Sequence, residues 1–493
     1  MTAFKNKIIL QILSKYKDIW ALGYASAVAY WDLDTYMPEK GARARGEALG
    51  RLSTIRQKLF LDKSFVSLIN QAERSKTLSE VERGVVRVLT HDLKYYEKLP
   101  AKFLEDFSRL TSEATVIWRE AKNKNNFKLF EPYLSKIFTM NRQMAGYLGY
   151  KNSPYDALLD LFEEGLTSRE VESFFGEIKT PLSELLAQAM KLNKNRKSHS
   201  LEGQAYNQEK LKRLNQKILS LFWSDMSRFR LDTSGHPFTI SFSNTDTRIT
   251  TYYHKTNFGR SLLAMVHEFG HALYDLQSAD DLQMTPIGSG NSIVIHESQS
   301  RLWENFVGRG RPFIKHFLKG MEQAVGRKLS VAEVYSYFNK VEPGLLRIEA
   351  DEITYHFHIM LRYEIEKGLI EGKLRVKDLP EIWNAKMKEY LGIVPKRDSD
   401  GVLQDIHWSG GMVGYFPTYS LGTFLSAQWE KQMGIADSMS CVGRKEKWLK
   451  EHIHKYGSTY TLKELLAKNK MKFDPAVNLD YLRKKYSKVQ NDY

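Results

Sequence analysis

The sequence predicts a mainly α-helical protein with one small β-ribbon. Three observations carry this reading. Only 13 prolines occur in 493 residues, with none in 39–99 or 182–236. Apolar residues recur at helical spacing, and strand-like alternation is confined to one stretch. Leu13, Tyr16, Ile19 and Trp20 fall at i, i+3, i+6 and i+7 on one face. Similar patterns predict helices around 45–72, 79–95, 101–125, 167–193, 208–228, 257–277, 294–307, 331–340, 344–367 and 380–391. Gly, Pro and Asn separate many of them, as at Asn152-Ser-Pro154 and from Pro395 to Gly401. The exception follows His236. Phe238, Ile240 and Phe242 alternate with polar residues, Asn244-Thr-Asp246 reads as a turn, and Arg248 to Tyr253 completes an antiparallel ribbon. Residues 194–207 are the most loop-like internal stretch, and 485–493 are expected to fray.

Composition narrows the class. With 42% hydrophobic and 12% aromatic residues the chain can bury a sizeable core, which excludes global disorder. Its length implies two or three domains or one large multilobed body. No uncharged apolar run approaches the roughly 20 residues that span a bilayer. The apolar stretch from Ile8 to Leu13 lacks a cleavage site and runs into charged residues, so it is not read as a signal peptide. The single cysteine, Cys441, forms no internal disulfide, and the cytoplasm is the expected compartment. The net charge of +15 is spread along the chain, with one concentration from Lys191 to Lys217. No zinc-finger or KH-type motif accompanies it, so a solvated face is expected there and no specific nucleic-acid partner.

Chemistry enters at His267-Glu268-Phe-Gly-His271, an HExxH within an apolar-periodic helix. The four-residue spacing stacks both imidazoles on one face, where they can share an ion. Glu268, beside the first of them, can act as general base toward a metal-activated water. Such a site wants a third protein ligand. The long metzincin pattern fails, because Tyr274 and Gln277 stand where it needs glycine and histidine. A downstream carboxylate is the alternative. Glu297 is the better candidate by spacing, with Glu304 read as an ordinary surface residue of the same helix.

These elements resemble the carboxypeptidase Taq family of metallocarboxypeptidases over nearly the whole chain. His236-Pro-Phe matches its HPF element and Asp246-Thr-Arg248-Ile-Thr250 its DxRxT. His296-Glu297-Ser298-Gln299 matches the element whose Glu is the third ligand. Arg347 to Asp351 matches IRxxAD, with Leu346 in place of the usual Ile, and Gly401 to Trp408 matches GxxQDxHW. The resemblance implies a large helical body with a deep active-site cleft and the ribbon beside the metal helix. It implies a single multilobed domain over 1–493: an N-terminal helical lobe to about 230, a catalytic part over about 231–425, and C-terminal helices from about 426. It also implies release of C-terminal amino acids from peptides, one divalent ion (Zn²⁺ expected, Co²⁺ the alternative) and a homodimer.

A carboxypeptidase must hold a free carboxylate, and Arg347 and Arg248 are the candidates. Against this, Arg347 could pair with Asp351 one turn along a helix, and Arg248 could brace the ribbon through Asp246. His236 joins them as a substrate-binding candidate. His407, Tyr415 and Tyr419, on or beside the Gly-rich stretch 410–414, are candidate donors to a tetrahedral oxyanion. His296 is expected to support its neighbour Glu297. Two alternatives stay open: a related helical oligoendopeptidase or dipeptidyl carboxypeptidase, and a basic RNA-binding protein with a vestigial metal site.

Overall fold

A computed structural model of the chain describes residues 3–193 and 198–489. The structure is mainly helical, with nineteen α-helices and one three-stranded sheet among the described residues. No helix among them is long and apolar enough to cross a membrane. The chain divides into two compact units, each assembled from three segments. The first comprises Met1–Glu97, Ser198–Phe338 and Trp429–Phe473, and the second Lys98–Lys197, Asn339–Gln428 and Asp474–Tyr493.

Local chemistry explains where the helices depart from simple periodicity. The predicted helix 45–72 is two helices, Ala42–Phe60 and Lys63–Glu73. Asp62 starts the second by accepting from the amides of Ser64 and Phe65 at 3.1 and 3.0 Å. The predicted 208–228 stops at Phe222, because a strand begins at Phe229. The predicted 344–367 starts only at Thr354, where the Asp351 carboxylate takes the amides of Ile353 and Thr354. Ahead of it Arg347–Glu349 forms one 3₁₀ turn. Arg347 and Asp351 therefore share no helix, and the i, i+4 pair between them is not formed. At the C-terminus the expected fraying does not begin at 485. A helix runs from Ala476 to Val489, and Tyr486 donates to the buried Glu352 at 2.8 Å. Residues 490–493 of that expectation, like 194–197 of the expected loop, lie outside the described residues.

The ribbon is present and larger than expected. Strands β1 (Phe229–Thr233), β2 (Thr239–Ser243) and β3 (Asp246–Thr251) lie in the order β1-β3-β2. The β2–β3 pair is antiparallel, as the alternation predicts, while β1 adds to β3 in parallel. Its Phe-Arg-Leu-Asp-Thr sequence is too short a pattern to separate from the preceding helix. Ile249, Thr247, Thr250 and Thr251 of β3 are fully buried, and β3 packs against the helix Phe258–Leu276 that carries the HExxH.

That helix starts at Asn257, whose side chain accepts from the Arg260 amide at 2.9 Å. It is buried on most faces and lies against the helix Ile293–Arg301. Gly270 makes the closeness possible: a Cβ there would meet Gln299 O and Ser300 Cα at 2.6 Å. Ile293–Arg301 then widens into a π-helix over Leu302–Gly308.

Gly270→Ala should destabilise the fold by about 1–3 kcal/mol, because backbone must move to admit a methyl group. Gly176→Ala, on the helix Ser168–Asn193 with nothing within 4 Å of the new Cβ, should instead be neutral or stabilise by up to about 1 kcal/mol. Urea denaturation of both variants checks the contrast.

Candidate metal centre

The HExxH helix aligns His267 and His271 with ring centroids 5.1 Å apart. Glu297 enters from Ile293–Arg301, its Oε2 3.7 Å from His267 Nε2 and 3.6 Å from His271 Nε2. The three candidate ligand atoms all lie within 4.8 Å of one another. A tetrahedral ion with bonds near 2.0–2.1 Å separates its donors by about 3.4 Å, so these side chains fit a small divalent cation closely.

The far side of each ligand is fixed, and for His267 the fixing selects the correct tautomer. His267 Nδ1 faces Glu304 Oε2 at 3.0 Å, and a carboxylate there requires the proton on Nδ1. Nε2 is left bare toward Glu297. His271 is backed by a second imidazole. His296 Nε2 lies 3.1 Å from the Gly290 carbonyl and donates to it. His296 Nδ1 is 3.4 Å from His271 Nδ1, so the outer nitrogen of His271 is turned away from Glu297. Burial, with His267, His296 and Arg301 acting the same way, holds the His271 pKa well below its usual value, so its imidazole stays neutral. For His267 burial works against the proton, but the Glu297 and Glu304 carboxylates outweigh it and raise the pKa.

Glu304 is thus no surface residue. It is 7% exposed and also accepts from Arg309 at 2.7 Å and Arg301 at 3.1 Å. Arg301 in turn donates through Nε to Glu297 Oε1 at 2.7 Å, which leaves Oε2 to face the imidazoles. Glu304 had a sequence signal, its i+7 spacing from Glu297, which returns it to nearly the same helix face. Arg309 had none. Thr239 of β2 was also missed. Its hydroxyl lies 2.6 Å from Glu268 Oε2, on a side chain that is 8% exposed. Burial raises the Glu268 pKa, against the pull of His267 and Thr239. The result is a more basic carboxylate than one in water. His236 is exposed on the approach to β2, and its charge reaches Glu268.

Arg248 lies in the same unit, on β3. Asp246 receives it bidentately at 2.8 Å, and its guanidinium sits over the rings of Phe242 and Trp31 at 4.8 and 5.6 Å. It borders a cavity of about 480 Å³ with Arg45 and Arg230.

The second unit gathers the remaining candidates. Arg347 is 7% exposed and bonds Asp405 Oδ1 through Nε at 3.0 Å and Nη2 at 2.9 Å. Its Nη1 reaches the Tyr355 hydroxyl at 3.2 Å, and the guanidinium lies 5.1 Å from the Tyr419 ring centroid. His407 Nε2 is 3.1 Å from the Tyr419 hydroxyl, and the Tyr415 ring stands 5.6 Å from His407. Burial, with Arg347 adding to it, brings the His407 pKa down to about 3, so this imidazole is neutral.

Known proteins share this arrangement's sequence and fold. The family model of carboxypeptidase Taq (M32) metallopeptidases matches residues 11–486. Thermostable carboxypeptidase 1 of Pyrococcus furiosus is 44% identical over 475 residues, 94% of this chain and 95% of that protein. Carboxypeptidase 1 of Bacillus subtilis is 35% identical, covering 94% and 96%. A solved Pyrococcus furiosus carboxypeptidase superposes with a TM-score of 0.94 at 43% identity, covering 98% of this chain and 99% of that one. A solved oligoendopeptidase F shares the fold alone, with a TM-score of 0.58 at 13% identity, covering 99% and 98%. With the match spanning 11–486 and such identity over whole relatives, the chain belongs to the carboxypeptidase Taq (M32) metallopeptidases.

Proposed function

We propose that this metallocarboxypeptidase holds one divalent ion with His267, His271 and Glu297, and that Glu268 is its general base. The observation that supports this most is the convergence of His267 Nε2, His271 Nε2 and Glu297 Oε2, while both Nδ1 atoms and Glu297 Oε1 face other side chains. When bound, the ion supplies Lewis-acid polarisation of the scissile carbonyl and acidifies water. Two imidazoles and a carboxylate suit Zn²⁺, with Co²⁺ the alternative. Glu268 takes a proton from the attacking water and delivers it to the departing amine, and Thr239 holds the carboxylate for both transfers. His407 and Tyr419 are donors of the kind an oxyanion requires, with Tyr415 packed against both. The substrates are peptides with a free C-terminus, and β2 and β3 with His236 are proposed to meet the peptide backbone. From the family resemblance we also carry a cytoplasmic homodimer.

Charge counting separates the two arginines. Arg248 is matched one to one by Asp246. Asp405, by contrast, is shared between Arg347 and Arg362, so that trio keeps one surplus positive charge. A substrate carboxylate is better received by the surplus, which favours Arg347 as the clamp.

Three outcomes follow. Glu268→Gln should keep one ion per chain while kcat falls about 10²–10⁴-fold, the usual contribution of a positioned base. Metal analysis beside turnover decides it, and full activity with intact metal would remove Glu268 from the mechanism. Metal titration should show Glu304→Ala weakening affinity about 10–100-fold, as loss of a partner behind a ligand does. Glu297→Ala should weaken it further. Arg347→Met should lower kcat/KM for a free-carboxylate peptide about 30-fold or more, the effect of losing a buried charged contact. The C-terminally amidated peptide, already poor, should change little. Arg248→Met should affect both peptides alike, and the reverse pattern would move the clamp to β3.

A further inference from the structure

Two ionisable side chains of the second unit are fully buried: Arg362, so far used only for the charge it shares with Asp405, and Glu366, which has no part in the mechanism above. Arg362 and Glu366 are both 0% exposed and lie one turn apart on the helix Thr354–Ile370. An i, i+4 pair of opposite sign would ordinarily be read as a mutual salt bridge. Here each side chain instead reaches a different point of the segment Asp405–Gly414. Arg362 donates through Nε to Asp405 Oδ2 at 2.7 Å, with Nη2 in ion-pair contact at 2.5 Å, and through Nη1 to the His358 carbonyl at 2.6 Å. Glu366 receives three donors: Trp408 Nε1 at 2.7 Å, the Gly414 amide at 2.9 Å and the Tyr155 hydroxyl at 2.6 Å.

The positions of these anchors along the chain are informative. His407 lies between Asp405 and Trp408, so an anchor flanks it on either side. Gly414 directly precedes Tyr415 and the helix Phe416–Met433, which carries Tyr419. The segment between can turn only in one way. Gly414 has φ +101°, and a Cβ on it would meet the Leu158 carbonyl carbon and oxygen at 2.8 Å. A buried ion pair is poor value as a source of stability, since apolar residues of similar volume often do as well or better. A buried acceptor engaged on every side, as the Glu366 carboxylate is by its three donors, does however specify one geometry.

We infer that Arg362 and Glu366 are positioning residues for hydrolysis, clasping the two ends of Asp405–Gly414 so that His407 and Tyr419 keep their mutual geometry. This rests on the proposed role of His407 and Tyr419 in turnover. Arg362 acts through Asp405, and Glu366 acts through Trp408 and the Gly414 amide. Glu366→Gln keeps the size of the side chain but turns one acceptor into a donor, facing a group that itself donates.

The test is a double-mutant cycle on the metal-loaded full chain with an N-acylated peptide bearing a free C-terminus. Glu366→Gln should lower kcat 10- to 100-fold, leave KM within about threefold, and keep one ion per chain. Placed on Tyr419→Phe, the same change should cost threefold or less, because the group it positions is already gone. Arg362→Met should lower kcat in the same non-additive way and, because it removes the surplus charge of the Arg347–Asp405–Arg362 trio, should also raise KM, with partial recovery of both in Arg362→Lys. If Glu366→Gln does not fold, Trp408→Phe removes a single donor and enters the same cycle. Unchanged kcat in Glu366→Gln, or losses that simply multiply with that of Tyr419→Phe, would overturn the inference while leaving the pair's own role standing. Full kcat in both His407→Ala and Tyr419→Phe would remove the pair's role, and the clasp with it.

Discussion

Glu297 faces the two imidazoles because Gly270 lets the helices Phe258–Leu276 and Ile293–Arg301 approach backbone to backbone. Any side chain at 270 would push Gln299 and Ser300 away, and Glu297 with them. The glycine lies inside the HExxH itself, so the residue that permits the approach is carried on the turn that supplies both histidines. Beyond the ligands the same pair of helices is tied again. Buried His454 places one ring nitrogen 2.8 Å from Gln277 and the other 2.9 Å from Gln299. Trp429 donates to Ser298 at 3.1 Å. The Ser298 and Gln299 that follow Glu297 thus hold the third ligand's helix in register.

Each unit buries a carboxylate shared by two guanidiniums. Glu304 lies between Arg301 and Arg309, and Asp405 between Arg347 and Arg362. Burial favours the neutral acid in both cases, but the paired arginines prevail, holding Glu304 and Asp405 well below the ordinary carboxylate range. A permanently charged acceptor is a fixed point for the side chains around it. Glu304 uses that to orient His267, and Asp405 uses it to seat Arg347. A neutral amide at either position would leave one of the two guanidiniums facing a donor.

Much of the metal centre was legible because its signals are local. HExxH is a four-residue spacing, Asn257 is a cap, and the ribbon alternates with period two. Spacing already favoured Glu297 over Glu304, and the family resemblance strengthened the choice. The misreadings share one cause. Glu304 resembled any acidic residue on a helix, and Arg347 and Asp351 any i, i+4 pair, because their true partners are distant in sequence. Arg309 reaches Glu304 through a π-helical turn that no periodicity announces. Strand β1 was lost for a related reason: its parallel partner β3 begins 17 residues after it starts, so no hairpin signal marks it.

The charge around the candidate metal centre favours a cation there. Glu268, Glu297, Glu304 and Asp275 are all less than a tenth exposed. The guanidiniums paired with them among the described residues are those of Arg301 and Arg309. Four carboxylates against two guanidiniums leave two negative charges in a region with little water, and burial accordingly raises the pKa of Glu268 and of Asp275. A divalent cation has the charge that balances this excess, and a monovalent one falls short by half. The neutral His271 adds no positive charge of its own. Binding of the ion and ionisation of Glu268 therefore favour each other: the cation stabilises the carboxylate, and the carboxylate is the form that accepts a proton.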